Sequence, residues 1–237
     1  MANRGTKISS QISSQISSQI SGPSYLFEQE WAAQGPVIGI DEAGRGPWAG
    51  PVTAAAFWIC PDGLDRLPAS LTDSKKLTAR QRADIETRLC CPGEGHLFAV
   101  YHSSVAEIDE KGILPATFAA MSAAAGDVAG QLQQAGYPNP PSILVDGNLL
   151  PELGFRARAI IKGDSLSLSI AAASILAKQS RDRLMGELAA KYPAYGWEKN
   201  AGYGTPAHQH AIAGQGVTPH HRRSYAPIKR FLETGRL

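Results

Sequence analysis

The sequence predicts an α/β protein built on a mixed β-sheet that is flanked by helices and followed by a helical C-terminal part. Short apolar runs alternate with longer helical patterns, which is typical of an α/β sheet. Two strand-like runs follow one another early in the chain, which indicates a mixed sheet and not a purely parallel one. At 237 residues with 43% hydrophobic composition, one domain or one domain with an appendage is expected.

Three strands and a capped helix are predicted in the first half of the chain. The helix is predicted over Ala79–Leu89 because Thr78 and Gln81 have the spacing of a capping box. Ile85 and Leu89 would form its buried face. The strands are predicted at Val37–Ile40, Val52–Ile59 and His96–Tyr101.

The second half alternates helices with two further strands. Short apolar runs predict these strands at Ile143–Val145 and Ala157–Ile161. Thr205 followed by Pro206 is typical of a helix N-terminus. Helices are predicted from Ser104 to about Gly112, and at Pro115–Gln134, Leu168–Lys191 and Pro206–Ala213.

Both ends of the chain differ in composition from its middle. Residues 8–21 repeat Ile-Ser-Ser-Gln with a period of four, so residues 1–23 are predicted to be a low-complexity disordered tail. The segment from Lys178 to Leu237 contains ten Lys or Arg and four Asp or Glu, whereas the whole chain has a formal charge of +2. A basic C-terminal quarter fits a surface that binds a polyanion, although a solvated helical face would show the same charge.

The cysteines and the apolar runs indicate the cellular setting. Cys60, Cys90 and Cys91 have neither a disulfide framework nor a zinc spacing, which favours a reducing, cytoplasmic location. No apolar run is expected to reach the roughly 18 residues of a membrane span, and the N-terminus lacks an apolar signal core. We therefore expect a cytoplasmic protein without a membrane partner, and a monomer is the default expectation.

Acidic residues follow three of the predicted strands. Asp41 and Glu42 come directly after the first strand, Asp146 after the fourth, and Asp164 shortly after the fifth. Each acid alone could simply begin a turn, but four of them at strand ends would repel one another unless a cation lies between them. Hard oxygen ligands select Mg²⁺ or Mn²⁺, and such a cluster suits two-metal phosphoryl transfer.

The loop after the first strand also admits another interpretation. Gly44, Gly46 and Ala49 match the spacing of a dinucleotide-binding fingerprint. However, Asp41 and Glu42 would repel a pyrophosphate, and the chain continues into a strand where the fingerprint opens a helix. The dinucleotide interpretation is therefore rejected.

Eight segments carry a more specific pattern. They are Gly39–Val52, Asp73-Ser74-Lys75-Lys76-Leu77, Val145-Asp146-Gly147, Lys162-Gly163-Asp164-Ser165, Ser169–Lys178, Arg181-Asp182, Gly202-Tyr203-Gly204-Thr205 and His221-Arg222-Arg223-Ser224. In this order, and over roughly residues 25–230, they closely resemble bacterial ribonuclease HII, a type 2 ribonuclease H. The N-terminal tail lies outside the resemblance.

The resemblance implies an RNase H-like fold with a five-stranded mixed sheet. Together with the composition of the tail, it divides the chain into a tail of residues 1–23, a catalytic domain of residues 24–191 and a helical C-terminal part of residues 192–237. It implies an endonuclease that cleaves RNA in RNA–DNA hybrids and nicks duplex DNA 5′ of single ribonucleotides, leaving 3′-hydroxyl and 5′-phosphate ends. The catalytic, metal-binding acids of the family correspond to Asp41, Glu42, Asp146 and Asp164.

Other family residues imply contacts with the substrate. The backbone of Gly44, Arg45 and Gly46 would contact the 2′-hydroxyl, and glycine suits this contact because a side chain would block close approach of the backbone. Tyr203 would pack on the sugar next to the ribonucleotide and so read the RNA-to-DNA junction. The remaining predicted substrate-binding residues are Lys75, Lys76, Ser174 and Lys178, with Arg181 as a further candidate for a backbone phosphate.

Two other functions remain open from the residues alone. A junction resolvase or exonuclease could use the same fold and metals, and robust cleavage of an all-DNA duplex would identify it. A catalytically silent module could bind hybrids without cutting them. Exchange of Asp146 for Asn separates the module from an enzyme, because only an enzyme would lose nicking while binding persists.

Overall fold

The described part of the chain forms a five-stranded mixed sheet, which confirms the predicted fold class. The computed structural model describes residues 22–237, so almost all of the predicted tail lies outside the described residues. The strand order is β3-β2-β1-β4-β5, with antiparallel pairing among β1, β2 and β3 and parallel pairing among β1, β4 and β5. The strands are β1 (Val37–Ala43), β2 (Val52–Trp58), β3 (Leu97–Ser103), β4 (Ser142–Asp146) and β5 (Ala157–Ile160).

The helices follow the predicted order with three short additions. They are α1 (Leu26–Ala32), α2 (Ala79–Leu89), α3 (Val105–Lys111), α4 (Ile113–Gln134), α5 (Leu168–Lys191), α6 (Trp197–Asn200), α7 (Pro206–Gln215) and α8 (Ala226–Thr234). The capping box of α2 is confirmed, since Gln81 N–H donates to Thr78 Oγ1 and Thr78 N–H donates to Gln81 Oε1. Helices α1, α6 and α8 were not predicted because each has fewer than ten residues and lacks a side-chain cap at its N-terminus.

Strand β1 is longer than predicted. Its parallel pairing with β4 ends at Ile40 and Val145, but its antiparallel pairing with β2 continues through Ala43. Asp41 and Glu42 therefore belong to the strand and do not follow it. At their positions β1 has lost its partner on the β4 side, which leaves space next to the end of β4.

Helix α5 packs closely on one face of the sheet because Gly39 has no side chain. A Cβ atom at Gly39 would lie 2.3 Å from Ile170 N. The start of α5 is held by Glu28 of α1, a fully buried carboxylate that accepts from Ser169 N–H at 2.9 Å and from Ser167 Oγ at 2.5 Å. An anion at a helix N-terminus is stabilised by the helix dipole, so α1 fixes the helix that borders the site.

Helix α4 covers the opposite face of the sheet. By length and composition alone, with a mean hydropathy of 1.2, it could cross a membrane, so the expectation that no segment reaches these limits is wrong. Helix α4 is this apolar because it is rich in alanine, which raises hydropathy while allowing close packing on the sheet. A buried stripe along α4, including Ala116, Ala120, Ala124 and Val128, shows that it is a core helix of this fold.

The C-terminal part packs around its own apolar cluster. Trp197 and Ile228 are fully buried in it. The cluster continues onto Met185 of α5 and onto Ala49 in the loop between β1 and β2. The C-terminal part is thereby fixed to that loop, whereas the domain boundary after Lys191 stays a prediction.

Candidate active site

The structure brings the four predicted acids to one end of the sheet. Asp41 lies on β1 and Asp146 ends β4, each one residue beyond the last paired residues of these two strands. Neighbouring strands are about 4.8 Å apart, so these carboxylates start from adjacent backbone positions. Glu42 follows on β1, and Asp164 lies in a short 3₁₀ turn after β5.

A main-chain hydrogen bond ties Asp146 to the turn that carries Asp164. Gly163 N–H donates to Asp146 Oδ1 at 2.7 Å. A Cβ atom at Gly163 would lie 2.6 Å from Ile170 Cδ1 and 3.3 Å from the same carboxylate oxygen, so the close approach requires glycine. The preceding Lys162 is left-handed with φ 58°, a strained conformation that is common beside functional groups.

Burial and mutual repulsion raise the pKa of three acids. Asp41 is only 5% exposed, and burial, followed by the charges of Asp146 and Glu42, raises its pKa well above the usual value. Burial, followed by repulsion from Asp146, raises the pKa of Asp164 to about 6. Burial also raises the pKa of Glu42, against the opposing effect of Arg45. The acids therefore experience one another's charge, a repulsion that a bound cation would relieve.

The donor set fits a hard divalent cation. All four candidates offer carboxylate oxygens, the ligands that Mg²⁺ and Mn²⁺ prefer. As they stand, no three acidic, histidine or cysteine side chains within residues 22–237 are close enough together to hold one ion. The metal site at these acids therefore stays a prediction.

Exposed cations lie at the rim of the acids. Arg45 Nη1 is 3.3 Å from Glu42 Oε1, and Lys75 Nζ is 3.9 Å from Asp164 Oδ2. The Lys75 side chain is 81% exposed, so it is free to turn towards a phosphate. Lys76 instead places Nζ 3.5 Å from the hydroxyl group of the residue after Asp164. Of the two predicted lysines, Lys75 is the one beside the carboxylates.

The structure buries Ser174, and its contact with the substrate stays a prediction. Its side chain is 4% exposed, and its Oγ is 2.8 Å from Ser74 Oγ, because this part of α5 packs against the sheet. Ser174 thus fixes the segment that presents Lys75. One turn later Lys178 lies outside the core, and its Nζ is 2.6 Å from Asp182 Oδ1. A phosphate at Lys178 would have to replace that carboxylate.

The structure contradicts the suggestion that Arg181 contacts a phosphate. Its side chain is 2% exposed. The guanidinium donates to the carbonyl oxygens of Pro51 at 3.0 Å, Ala201 at 3.0 Å and Ala49 at 3.1 Å. The sequence did not reveal this because α5 is apolar almost all round at its start, so its buried face cannot be read from periodicity.

The glycine-rich loop and Tyr203 form one continuous surface beside the acids. Trp48 N–H donates to Gly202 O at 2.8 Å, which joins the two segments. A Cβ atom at Gly46 would lie 3.3 Å from Tyr203 Cε1, and the Tyr203 side chain is half exposed. Among the described residues, the N–H groups of residues 44–46 have no protein acceptor. Free donors and an exposed ring are thus presented side by side.

Two buried histidines fix the main chain at Tyr203. His208 Nδ1 is 2.9 Å from Tyr203 O, which assigns the His208 proton to Nδ1. Thr218 N–H donates to His221 Nδ1 at 2.9 Å, so His221 carries its proton on Nε2 and donates to His208 Nε2 at 3.1 Å. Burial lowers the pKa of both histidines, that of His221 to about 3. No spacing in the sequence pointed to this pair.

Comparisons with known proteins agree with one another. A family model described as ribonuclease HII matches residues 38–228, a range that contains every predicted site residue. The ribonuclease HII of Ruegeria sp. (strain TM1040) is 47% identical over 213 residues, covering 89% of this chain and 87% of the relative. The structure of the PCNA:RNase HII complex from Archaeoglobus fulgidus gives a TM-score of 0.62 at 25% identity, covering 80% of this chain and 95% of that one. The structure of Bst-RNase HIII in complex with Mn²⁺ gives a TM-score of 0.63 at 19% identity, covering 84% of this chain and 70% of that one.

Proposed function

The chain belongs to the ribonuclease HII family of metal-dependent nucleases that act on RNA–DNA hybrids, and from this premise we propose that it also nicks duplex DNA at single embedded ribonucleotides. The nick would fall on the 5′ side of the ribonucleotide and leave 3′-hydroxyl and 5′-phosphate ends. The observation that carries the proposal is the common surface of the four acids, the free N–H groups of residues 44–46 and the exposed ring of Tyr203.

The four acids are the proposed metal ligands. Asp41, Glu42, Asp146 and Asp164 would hold Mg²⁺ or Mn²⁺, which would activate the attacking water and stabilise the leaving 3′ oxygen. Ion binding can be measured without turnover, because a ligand that binds only the folded state raises the melting temperature. Either ion should raise the melting temperature of the parent protein more than that of Asp146→Asn, and equal shifts would contradict the assignment.

The free N–H groups of the glycine-rich loop are the proposed detector of ribose. A 2′-hydroxyl oxygen would accept hydrogen bonds from these groups. A deoxyribose offers no oxygen there, and a donor that loses its solvent without gaining a partner costs about 1–3 kcal/mol. The loop would therefore admit a ribonucleotide and disfavour a deoxynucleotide beside the acids.

Tyr203 is the proposed platform for the sugar on the other side of the scissile position. Its ring lies against Gly46, so a nucleotide stacked on the ring would adjoin the one that the loop contacts. Tyr203 would accept a deoxyribose more readily than a ribose and so recognise the RNA-to-DNA junction. Arg45 and Lys75, at the rim, would contact the flanking phosphates.

Three matched substrates test the proposal. We expect a nick at the single ribonucleotide in a DNA duplex, cleavage of the RNA–DNA hybrid and no cleavage of the all-DNA duplex. A 2′-O-methyl group at the ribonucleotide should prevent nicking, because it blocks the approach of the loop. Hybrid cleavage without nicking at the single ribonucleotide would overturn the proposal, and robust cleavage of the all-DNA duplex would identify a resolvase or exonuclease.

We also retain three proposals about the molecule as a whole. They are a catalytic domain of residues 24–191 with a helical part of residues 192–237, a monomeric state, and a cytoplasmic location without a membrane partner. The unpaired Cys60, Cys90 and Cys91 support a reducing compartment. Size-exclusion chromatography with light scattering would test the monomer directly, and a stable dimer would overturn that proposal.

A further inference from the structure

Two arginines are buried beneath the glycine-rich loop without an acidic partner. Arg222 is 0% exposed and Arg181 is 2% exposed, and neither forms an ion pair with any of residues 22–237. A buried charge costs several kcal/mol unless its hydrogen-bonding groups are satisfied. Two such charges below one loop therefore need a specific arrangement of acceptors around them.

Main-chain carbonyl groups of the loop supply these acceptors. Arg222 has five N–H groups, and each one has a partner. Four partners are carbonyl oxygens, and the fifth is the hydroxyl group of Tyr225. The contacts are Nε to Gly50 O at 2.9 Å, Nη1 to Arg45 O at 2.9 Å and Tyr225 Oη at 2.8 Å, and Nη2 to Gly44 O at 2.6 Å and Pro51 O at 3.0 Å.

Arg181 completes the arrangement from the side of α5. Its guanidinium also donates to Pro51 O and to Ala49 O, and the main-chain N–H of Arg222 donates to Trp48 O at 2.8 Å. Arg181 comes this close only because residue 44 is glycine, since a Cβ atom there would lie 2.0 Å from its Nε.

The direction of these carbonyl groups determines the direction of the free N–H groups. In a trans peptide, the C=O of one residue and the N–H of the next point in opposite directions. Gly44 O points inward to Arg222, so the N–H of Arg45 points outward. Arg45 O also points inward, which turns the N–H of Gly46 outward.

We infer that Arg222 is a positioning residue for ribose recognition, because it holds the carbonyl groups of Gly44 and Arg45 inward and so directs the N–H groups of Arg45 and Gly46 at the substrate. Arg181 supports it by holding the later part of the loop through Ala49 O and Pro51 O. This inference deepens the proposed function and rests on its assignment of the loop to the 2′-hydroxyl. Burial, followed by the charge of Arg222, lowers the pKa of Arg181 to about 10, and burial lowers that of Arg222. Both groups remain charged at neutral pH and add positive potential under the loop.

Lysine cannot replace Arg222 in this role. A lysine side chain keeps the charge but has one nitrogen with three donors, whereas the acceptors surround a planar fork with five. Arg222→Lys therefore separates the geometry of the hydrogen bonds from the charge. Arg230→Lys is the matched control, since Arg230 is exposed on α8 in the same part of the chain.

The test compares kcat and KM for these variants on the RNA–DNA hybrid and on the single-ribonucleotide duplex. A displaced loop should lower kcat of Arg222→Lys by about 100-fold, which is the usual effect of a misplacement of about 1 Å. KM and the metal-dependent rise in melting temperature should change little, because the phosphate contacts and the acids are not on the displaced peptides. A merely structural role would reduce stability and the metal response together. A folded Arg222→Lys with kcat within twofold of the parent would overturn the inference.

A milder variant keeps the inference testable if Arg222→Lys does not fold. Tyr225 Oη accepts from Arg222 and donates to Arg45 O. Tyr225→Phe removes only this hydroxyl, which corresponds to about 1 kcal/mol and hence about a fivefold fall in kcat on both substrates. Parent-like kcat in Tyr225→Phe would then count against the inference. If the parent cleaves the hybrid but not the single-ribonucleotide duplex, the proposed function fails, while the hybrid still reports on the arginines.

Discussion

Replacing Gly44 with alanine tests the packing of the glycine-rich loop on Arg181. Gly44 has φ 95°, a conformation that strains any residue with a Cβ atom. The new Cβ would lie 2.0 Å from Arg181 Nε and 2.5 Å from its Cδ. The arginine side chain is buried, so it cannot move aside without giving up its hydrogen bond to Pro51 O.

The expected loss of stability has two parts. Backbone strain at positive φ costs about 1–2 kcal/mol, and a buried donor and acceptor that lose each other add about 1–3 kcal/mol. Together they predict a destabilisation of about 2–5 kcal/mol. For a domain of this size the melting temperature should fall by roughly 4–20 °C.

Two other glycines serve as controls, one for the backbone strain and one for a side chain added to the loop without strain. Gly136 has φ 89° with nothing within 4 Å of its Cβ position, so Gly136→Ala measures the strain alone. Gly46 is not at positive φ, and Gly46→Ala should leave stability nearly unchanged while lowering cleavage, because its Cβ would press on Tyr203 at 3.3 Å. The assay is urea unfolding of all three variants beside the parent. If Gly44→Ala costs no more than Gly136→Ala, Arg181 does not need the space, and the reasoning fails.

Three further changes test other parts of the site. Asp146→Asn should abolish nicking while binding of the hybrid, measured by fluorescence anisotropy, persists; unchanged nicking would remove Asp146 from the site. Tyr203→Ala should lower cleavage at the single ribonucleotide by about 5- to 150-fold, the range expected from loss of 1–3 kcal/mol of stacking, and equal rates for mutant and parent would refute the platform. The free energy of unfolding should fall by about 2 kcal/mol from pH 8 to pH 5 through His221 alone, because its pKa is about 3 when folded and its ordinary value is 6.5. Below pH 6.5 the unfolded chain therefore takes up the proton first. In His221→Asn, the difference in the free energy of unfolding between pH 8 and pH 5 should be smaller by this amount, and an unchanged difference would contradict the assignment.

The placement of the acids could be predicted from the sequence because it depends on local signals. Apolar runs stop at Asp41 and Asp146, and acids at the ends of neighbouring strands in one sheet meet. The sequence did not show that β1 continues through Asp41, because its pairing with β2 there is a property of the sheet. The metal and substrate roles of these residues stay predictions that the variants above test.

Burial was the property that the sequence could not supply. Arg181 and Ser174 are polar residues on a helix whose first half is apolar almost all round, so no period separates an inward side chain from an outward one. Arginines are mostly exposed, which favoured a phosphate contact for Arg181. Its real partners are carbonyl groups of residues 49, 51 and 201, and such distant main-chain contacts leave no trace in residue type or spacing.

The anchor of the glycine-rich loop is 178 positions away from the loop along the chain, since Arg222 donates to Gly44 O. A ribosome adds about 5–20 residues per second, so Arg222 is added about 3–12 s after Asp164. During this interval the growing polypeptide has all four carboxylates but lacks Arg222, which holds Gly44 O and Arg45 O. We therefore expect the nascent chain to be unable to select ribose, which delays activity until synthesis is almost complete.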